Sequence, residues 1–323
     1  MAWNRATCGA VSDARHVRGN ARAFMLGALA LAALALSVWW LRPHGDTPRA
    51  AQPTLEKLRA TGVITLGHRE NSIPFSYFDN QQHVVGYAHQ ISLEIARAAS
   101  REIGRDVKVK LVPVTSQTRI PLIINNTIDL ECGTTTNNRS RARQVAFSTN
   151  YFMSGTRFLV RKDSGIRGLE DLAGRNVVVG AGTTSEIALR KTNAERQLGI
   201  RIIAARDHGD AFVALEFGKA VAFMSDDAIL YGEISKAKEP ERWHVVGEPL
   251  TREVYACAMR KGDLAFKAVA DGAIEAMMRS GEMRALYERW FQAPIPPRQV
   301  DLAVPLNPEL AELFEHPNDR PLQ

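Results

Sequence analysis

The sequence predicts an α/β protein built from two similar lobes with a ligand cleft between them. Strand-like apolar runs alternate with helix-like segments from residue 54 onwards, a pattern typical of α/β proteins with parallel sheets. The same alternation begins again near Gly155, which indicates a second α/β half. Polar clusters follow the predicted strands, where α/β proteins place their ligands.

The first half of the pattern contains three helices and three strands. Apolar residues at helical spacing predict a helix over 86–100, and strict alternation predicts a strand over 107–112. A helix over 116–126 tolerates Pro121 in its first turn. The remaining predicted elements are a helix at 54–61, a strand at 63–67 and a strand that stops at Cys132-Gly133.

The second half repeats this order. Thr183 and Glu186 have the spacing of a capping box and open a helix that runs over 187–198. The other predicted strands lie at 156–161, 177–180, 200–204, 220–224 and 254–259. The other predicted helices lie at 169–173, 210–217, 226–237, 266–279 and 283–291, and the tail from Pro294 is predicted to be mostly irregular.

The N-terminal region has a different character. Residues 1–22 are polar with several arginines, and residues 23–41 contain no charged side chain. The uncharged segment would span roughly 28 Å as a helix, close to the thickness of a bilayer core. Positive charges before it predict that the following chain is exported. A cleaved signal peptide and an uncleaved signal-anchor helix both fit, and the length and Trp39-Trp40 favour the anchor, with residues 42–53 as a tether.

Composition and motifs exclude several functional classes. The chain has 323 residues and a formal net charge of +6, and no nucleic-acid-binding motif accompanies its basic residues. No glycine-rich nucleotide-binding motif opens a helix, and neither G-x-S-x-G nor H-E-x-x-H occurs. We therefore predict no nucleic-acid partner, no cofactor, no metal and no catalytic residue.

The cysteines leave two alternatives open. Cys8 precedes the hydrophobic segment, and no pair has C-x-x-C spacing, so a metal cage is not predicted. In an oxidising compartment, a disulfide between Cys132 and Cys257 and a pair of buried free thiols both fit.

One stretch, residues 129–143, combines features that suit a small carboxylate. Its sequence D-L-E-C-G-T-T-T-N-N-R-S-R-A-R offers hydroxyls, free backbone N–H groups and guanidinium groups in succession. A capped helix on a solvated surface explains the same residues without a ligand.

Further polar clusters follow other predicted strands, and this recurrence predicts a binding site. Each cluster alone has a simpler explanation: Arg69 could form a surface ion pair, and Thr183 is accounted for by capping whereas Thr184 is not. The clusters are His68–Glu70, Ser116–Arg119, Thr134–Arg141, Thr183-Thr184, Asp207-His208 and Asp226-Asp227.

Six ordered motifs carry a resemblance to a known family. They are H-R-E-N-S-I-P-F-S-Y-F-D-N (68–80), T-S-Q-T-R-I-P-L (115–122), D-L-E-C-G-T-T-T-N-N (129–138), G-T-T-S-E (182–186), A-R-D-H-G-D (205–210) and A-F-M-S-D-D-A (222–228). Together they resemble the periplasmic glutamate/aspartate-binding proteins of ABC transporters, which belong to solute-binding protein family 3. The similarity runs from about Leu55 to the C-terminus.

The resemblance implies the type II periplasmic-binding fold, in which two α/β lobes joined by two crossover strands close over a ligand. Residues 54–153 plus 252–323 would form the first lobe, and residues 154–251 the second. The protein would be a monomeric, periplasmic carrier of L-glutamate or L-aspartate that delivers its ligand to membrane permease subunits. Residues 23–41 would hold it to the inner membrane if they are uncleaved.

The resemblance also implies ligand contacts. Arg141 with Thr136 would hold the ligand α-carboxylate, helped by Thr184, and Asp226 would take the α-ammonium with assistance from Thr134. The residues around the ligand side-chain carboxylate would be Arg69, Ser116, Arg119 and His208. This chain departs from the family pattern at Thr134, where the family usually has Ser, and at Ser225, where it usually has Met.

A charge count of these residues favours acidic ligands. Three arginines and one aspartate sum to +2, whereas glutamate and aspartate carry −1 and glutamine carries 0. We expect acidic amino acids to bind more tightly than neutral ones, while one methylene leaves the order of glutamate and aspartate open. Two alternatives remain at this point: a dehydratase-like enzyme with Glu70 or His208 as proton donor, and a tethered amino-acid sensor.

Overall fold

The computed structural model describes residues 52–322. The predicted basic segment 1–22, the hydrophobic segment 23–41 and all but the end of the predicted tether lie outside the described residues. Within residues 52–322, no helix has the length and apolar character needed to cross a membrane.

Ten α-helices and fourteen strands make up the described part of the chain. The helices are α1 (Thr54–Thr61), α2 (Tyr87–Ile103), α3 (Arg119–Ile124), α4 (Arg139–Ala142), α5 (Thr184–Glu195), α6 (His208–Glu216), α7 (Asp227–Lys236), α8 (Leu264–Ser280), α9 (Glu282–Phe291) and α10 (Pro308–Glu315). The strands are β1 (Val63–His68), β2 (Asn71–Ser72), β3 (Ser76–Phe78), β4 (Val84–Val85), β5 (Lys108–Pro113), β6 (Leu130–Glu131), β7 (Val145–Arg161), β8 (Asn176–Gly180), β9 (Arg201–Ala205), β10 (Ala222–Asp226), β11 (Trp243–Val246), β12 (Arg252–Arg260), β13 (Pro294–Ile295) and β14 (Val300–Asp301).

Nine strands form one continuous sheet in the order β5-β1-β6-β12-β7-β10-β8-β9, with β11 pairing to β7. The pairs β5-β1, β1-β6, β10-β8 and β8-β9 are parallel, as the alternating pattern predicts. The centre is antiparallel, however, because β7 and β12 run against each other and against their outer neighbours. The prediction of purely parallel sheets was therefore wrong at the two long strands.

Strand β7 joins the two halves of the sheet. Its residues 145–155 pair with β12, and its residues 156–160 pair with β10. We call the part around β1, β5 and β6, together with the chain after β12, the first half, and the part around β8–β11 the second half. This change of partner lies beside the predicted boundary at 153/154, and the division into two lobes stays a prediction.

The hydrophobic cores follow the two halves, except that Ala228 and Ile229 of α7 pack into the cluster of the first half. The first half contains a group of mutually packed aromatic rings, among which Phe75 and Phe152 meet edge to face with their centroids 4.8 Å apart. In the second half, two apolar clusters contain alternate residues of β8, such as Val177 and Val178, because successive side chains of a strand point to opposite faces.

The C-terminal tail is more ordered than the sequence predicts. Prolines suggest irregular structure, but Pro308 lies at the start of α10, where its fixed φ fits a helix. The Asn307 side chain caps the helix by accepting a hydrogen bond from the backbone N–H of Leu310. Leu310, Leu313 and Phe314 are buried and extend the core of the first half.

Two further sequence predictions need correction. The segment predicted as a helix at 169–173 is a short 3-10 helix, Glu170–Leu172. Thr183 caps α5 as predicted, since its Oγ1 accepts from the Glu186 N–H at 3.0 Å, but the Glu186 carboxylate accepts from Gly182 rather than from Thr183. The capping box is therefore only half formed.

Candidate functional site

The polar residues predicted from the six clusters meet where the two halves face each other. Each lies at or after the carboxyl end of a strand or at the start of the next helix. Because the carboxyl ends of parallel strands meet at one edge of a sheet, these residues come together there. Eight of the nine are buried, and Thr184 is half-buried. The nine residues are Arg69, Ser116, Arg119, Thr134, Thr136, Arg141, Thr184, His208 and Asp226.

Two guanidinium groups, those of Arg69 and Arg119, lie buried next to each other at one end of the site. Arg69 is 2% exposed and Arg119 is 1% exposed. Burial, followed by the charge of Arg119, lowers the pKa of Arg69 to about 10. Among the residues described, neither guanidinium has a carboxylate oxygen within 4.0 Å, and the Arg69 guanidinium donates a hydrogen bond only to Ser116 Oγ, at 3.2 Å. Two unpaired buried cations favour an anion between them.

Arg119 is held in place by neutral oxygens. Its Nη1 donates to the Thr134 carbonyl at 3.0 Å and to Thr135 Oγ1 at 2.6 Å. The Thr135 hydroxyl donates in turn to Glu131 Oε2 at 2.5 Å. The Nε of Arg119 is buried without a hydrogen-bond partner among the described residues, so this guanidinium retains donor capacity.

Glu131 is a buried carboxylate that the sequence analysis did not select. It lies on β6 and is fully buried, and its Oε1 has no hydrogen-bond partner among the described residues. A Cβ at Gly133 would overlap this oxygen, so the glycine leaves room for the carboxylate. Glu131 is therefore a counter-charge for Arg119, to which it is linked by the hydroxyl of Thr135.

Arg141 belongs to the loop and short helix that follow β6. Its Nη1 donates to the carbonyl of Thr136 at 3.1 Å, and its Nη2 donates across to the carbonyl of Gly182 in the second half at 3.4 Å. Burial, followed by the charge of Arg119, lowers its pKa to about 10. Like the other two arginines, it has no carboxylate oxygen within 4.0 Å among the described residues.

Asp226 provides a negative group on the second half. It ends β10 and accepts hydrogen bonds from Tyr255 through Oδ2 and from Ser185 Oγ to Oδ1, the latter at 3.3 Å. Burial, followed by the charge of Glu253, raises the pKa of Asp226 to about 8. A nearby cation would favour its ionised form.

Glu253 is a second buried carboxylate that the sequence analysis missed. It lies near the start of β12 and is 2% exposed. Its Oε2 accepts from Thr136 Oγ1 at 2.5 Å and from Thr184 Oγ1 at 2.9 Å, and its Oε1 accepts from Thr251 Oγ1 at 2.7 Å. One carboxylate on a connecting strand thus binds a hydroxyl from each half.

His208 links the halves at the arginine end of the site. Its Nδ1 lies 3.0 Å from Ser72 Oγ, and Asp207 caps the helix that it starts. Burial, followed by the charges of Arg69 and Arg119, lowers the pKa of His208 well below its ordinary value. The imidazole is therefore neutral at neutral pH and can act as a hydrogen-bond donor without adding charge.

Close backbone contacts bring the two halves together around these side chains. A Cβ at Gly182 of the second half would lie 2.7 Å from Cγ of Gln117 in the first half. A Cβ at Gly232 on α7 would overlap the carbonyl oxygen of Ile73. Glycine is needed at both positions for the halves to approach this closely.

Cys132 and Cys257 are joined by a disulfide in the structure. The bridge connects the end of β6 to β12, 125 residues apart in sequence, directly behind the loop that carries Thr134 and Thr136. It ties this loop to a strand that joins the halves.

The net charge of +2 that the sequence analysis gave for three arginines and one aspartate is not the net charge of the buried site. With Glu131 and Glu253 included, three arginines face three carboxyl groups, so the net formal charge is 0 when Asp226 is ionised and +1 when its raised pKa keeps it protonated. The charge of Arg119 acts on both Arg69 and Arg141, and the charge of Glu253 acts on Arg141 and Asp226. Positive and negative groups therefore line the same site, which suits a ligand that carries charges of both signs.

A sequence signal for the missed carboxylates does exist. Glu131 lies between Leu130 and Cys132, and Glu253 precedes V-Y-A-C-A-M, so each is an acidic residue next to apolar strand residues. Because an ionised carboxylate is rarely buried without a partner, such a position indicates a function or a specific partner.

Comparison with known proteins agrees with the fold. Residues 64–293 match the model of the bacterial extracellular solute-binding proteins, family 3. The glutamate/aspartate import solute-binding protein of Salmonella typhimurium is 50% identical over 278 residues, covering 86% of this chain and 92% of its own. The L-glutamate/L-aspartate-binding protein of Pseudomonas aeruginosa is 49% identical, covering 83% and 89%. Among solved structures, an ancestral arginine-binding protein bound to arginine matches with a TM-score of 0.65 at 29% identity, covering 71% of this chain and 98% of its own.

Proposed function

The chain belongs to family 3 of the bacterial extracellular solute-binding proteins, and from this premise we propose that it binds L-glutamate or L-aspartate in the periplasm. It would close its two halves over the ligand and deliver it to the permease subunits of an ABC transporter. The two relatives of about 50% identity named for glutamate and aspartate support this ligand class.

The observation that carries the proposal is the pair of buried guanidinium groups, Arg69 and Arg119. Two cations that lack a direct carboxylate partner among the described residues destabilise each other. A ligand side-chain carboxylate placed between them would relieve this repulsion and use their free N–H donors. A neutral side chain would leave the cations uncompensated.

The opposite end of the site suits the amino-acid backbone of the ligand. Arg141 would bind the α-carboxylate, and Asp226 would bind the α-ammonium. Ser116 and the neutral imidazole of His208 would complete the side-chain end. Each of these roles remains a proposal, supported by the burial of these groups and by the presence of both positive and negative groups in the site.

The site draws residues from both halves, which supports closure as the signal to the transporter. Arg69, Arg119 and Arg141 belong to the first half, and His208 and Asp226 belong to the second. A ligand that contacts both halves stabilises the closed arrangement by the difference between its binding free energies for the closed and the open arrangement.

Calorimetric titration of the purified protein with L-glutamate, L-aspartate and L-glutamine tests the proposal. The protein is first unfolded and refolded with its disulfide intact to remove carried-over ligand. We expect both acidic ligands to bind at submicromolar concentration and glutamine to bind at least about 100-fold more weakly. Glutamine binding as tight as that of glutamate would refute the acidic specificity, and no binding of any of the three would refute the proposed function.

The two proton donors named for the dehydratase alternative do not suit that role. The lowered pKa of His208 leaves it neutral at neutral pH, and among the described residues no hydrogen bond joins the Glu70 side chain to it. A tethered sensor would depend on residues 23–41, which lie outside the described part of the chain. Anchoring to the inner membrane through this segment stays a prediction.

A further inference from the structure

Glu131 is a buried carboxylate for which two glycines leave room. It has no exposed surface, and its strand β6 pairs with β1 on one side and β12 on the other. A Cβ at Gly67 of β1 would lie 3.2 Å from Cγ of Glu131, and a Cβ at Gly133 would overlap its Oε1. The side chain therefore occupies a space that the neighbouring backbone keeps open inside the sheet.

Hydrogen bonds and charge link Glu131 to the two arginines at the side-chain end of the site. Its Oε2 accepts from Thr135 Oγ1 at 2.5 Å, and the same Thr135 oxygen accepts from Arg119 Nη1 at 2.6 Å. Burial and the charge of Arg119 lower the pKa of Arg69, and the charge of Glu131 opposes this effect. One carboxylate thus acts on both guanidinium groups.

The charges at this end of the site sum to +1 when Glu131 is ionised. Arg69 and Arg119 contribute +2, and Glu131 contributes −1. Asp207 acts on Arg69 as well, but it pairs with the exposed Arg206 at 3.3 Å, so this pair adds no net charge. One ligand side-chain carboxylate brings the sum to 0, whereas the same ligand would leave +1 if Glu131 were neutral. Since uncompensated buried charge is costly, the balance with Glu131 suits a single carboxylate.

We propose that Glu131 is a specificity-determining residue that sets the charge at the side-chain end of the site and limits the affinity for an acidic side chain. This inference rests on the proposed function and deepens it. The carboxylate repels a ligand anion held by the arginines, and it stabilises the two cations when no ligand is bound. A carrier balanced in this way binds one carboxylate and still releases it.

The first test compares Glu131→Gln with the unaltered full chain by calorimetric titration with L-glutamate and L-glutamine. The substitution removes the charge and keeps the shape of the side chain, including an oxygen that can accept from Thr135. We expect L-glutamate to bind at least about ten-fold more tightly and L-glutamine to change by less than about three-fold, because only L-glutamate has a charged side chain. The Tm of the ligand-free protein should fall. An unchanged or smaller preference for L-glutamate over L-glutamine would overturn the proposal.

The second test uses Glu131→Asp to separate the effect of charge from that of position. The shorter side chain keeps the carboxylate but draws it away from Thr135. We expect the ratio of the L-glutamine and L-glutamate dissociation constants to stay within about three-fold of the ratio for the unaltered protein. If Glu131→Asp and Glu131→Gln change this ratio equally, the residue acts by holding Arg119 in place, and the proposed role of its charge is wrong.

The matched control is Asp129→Asn, which removes a buried carboxylate two residues away. Asp129 is 7% exposed, pairs with Lys57 at 2.6 Å and accepts from the Thr65 N–H at 2.7 Å. We expect this variant to lose stability and to keep the ratio of the two dissociation constants unchanged. A ratio that rises as much as in Glu131→Gln would show that the loss of any nearby negative charge has this effect, which would also overturn the proposal.

The outcomes separate this inference from the proposed function. If the unaltered protein prefers L-glutamate over L-glutamine but Glu131→Gln does not increase that preference, only the role of Glu131 is refuted. Should Glu131→Gln fail to fold, a folded Glu131→Asp variant whose ratio has changed more than about three-fold refutes the role in the same way. A protein that binds no acidic amino acid refutes the proposed function on which the inference rests.

Discussion

Replacing Arg69 by methionine removes one of the two buried cations while keeping the apolar part of the side chain. Arg69 is 2% exposed and donates one side-chain hydrogen bond among the described residues, to Ser116. We expect the substitution to weaken L-glutamate binding strongly, to change L-glutamine binding little and to leave folding intact. The last expectation follows from the repulsion between Arg69 and Arg119, which the substitution removes.

The expected loss is large because the ligand carboxylate would be buried between two cations. Unit charges about 4 Å apart interact by about 4 kcal/mol at an effective dielectric constant of about 20. Removing one partner of a buried ion pair costs about 3–5 kcal/mol. These values correspond to a loss of roughly 10²- to 10³-fold or more in affinity for L-glutamate. The neutral amide of glutamine loses only a hydrogen bond, about ten-fold or less.

Calorimetric titration of the unaltered protein and the variant with both ligands measures this difference. Arg97→Met is the matched control, since Arg97 is exposed and pairs with Glu94 on the surface at 2.8 Å. It should leave both affinities unchanged. An Arg69→Met variant that folds and binds L-glutamate as tightly as the unaltered protein would refute the assignment of this pocket to an acidic side chain.

Three further predictions follow from other parts of the structure. Burial raises the pKa of Asp226 to about 8, and a ligand ammonium would lower it, so binding should release a proton. The affinity for L-glutamate should therefore rise by up to about ten-fold per pH unit from pH 6 to 8 and then level off. Calorimetry in buffers of different ionisation heats measures the released proton, and an affinity that stays constant from pH 6 to 8 would contradict this prediction. Gly232→Ala should weaken L-glutamate binding because its Cβ obstructs closure, while Tm falls only slightly. The control Gly272→Ala, where a Cβ meets open space, should leave the affinity unchanged. Equal affinities in the two variants would argue against the closure contact. Reducing the Cys132–Cys257 disulfide, which closes a loop of 125 residues, should lower the free energy of unfolding by about 2–5 kcal/mol in denaturant titration, and an unchanged midpoint would show that the bridge contributes nothing.

The outer strands and most helices could be predicted because the apolar residues in their sequences recur at the spacing of a strand or of a helix. Strand β8, for example, is an apolar run that begins one residue before its predicted start, and α5 follows a capping threonine. The parallel outer pairs and the position of the site at strand ends follow from this alternation.

The central strand β7 was predicted only at 156–161 because its first part contains Ser148, Thr149 and Asn150 between apolar residues. These polar residues are buried because distant groups satisfy them: Asp271 accepts from the Thr149 N–H at 2.7 Å, and Asn318 accepts from the Asn150 N–H at 2.8 Å. No local pattern contains such partners.

The candidate site was likewise predictable only in part from the sequence. The arginines, threonines and Asp226 could be selected because they follow predicted strands. Glu131 lies within a predicted strand and Glu253 directly precedes one, so both were overlooked. The charge count of +2 failed for that reason. Their importance comes from which hydroxyls they bind, Thr135 for Glu131 and Thr136 with Thr184 for Glu253, and these contacts depend on the assembled sheet.

The orientation of the bound amino acid is the central claim, and a crystal structure with L-glutamate tests it most directly. We expect the side-chain carboxylate within hydrogen-bond distance of Arg69 and Arg119, the α-carboxylate on Arg141, and the ammonium on Asp226. A ligand bound in the reverse direction, with its ammonium toward Arg69 and Arg119, would contradict the account.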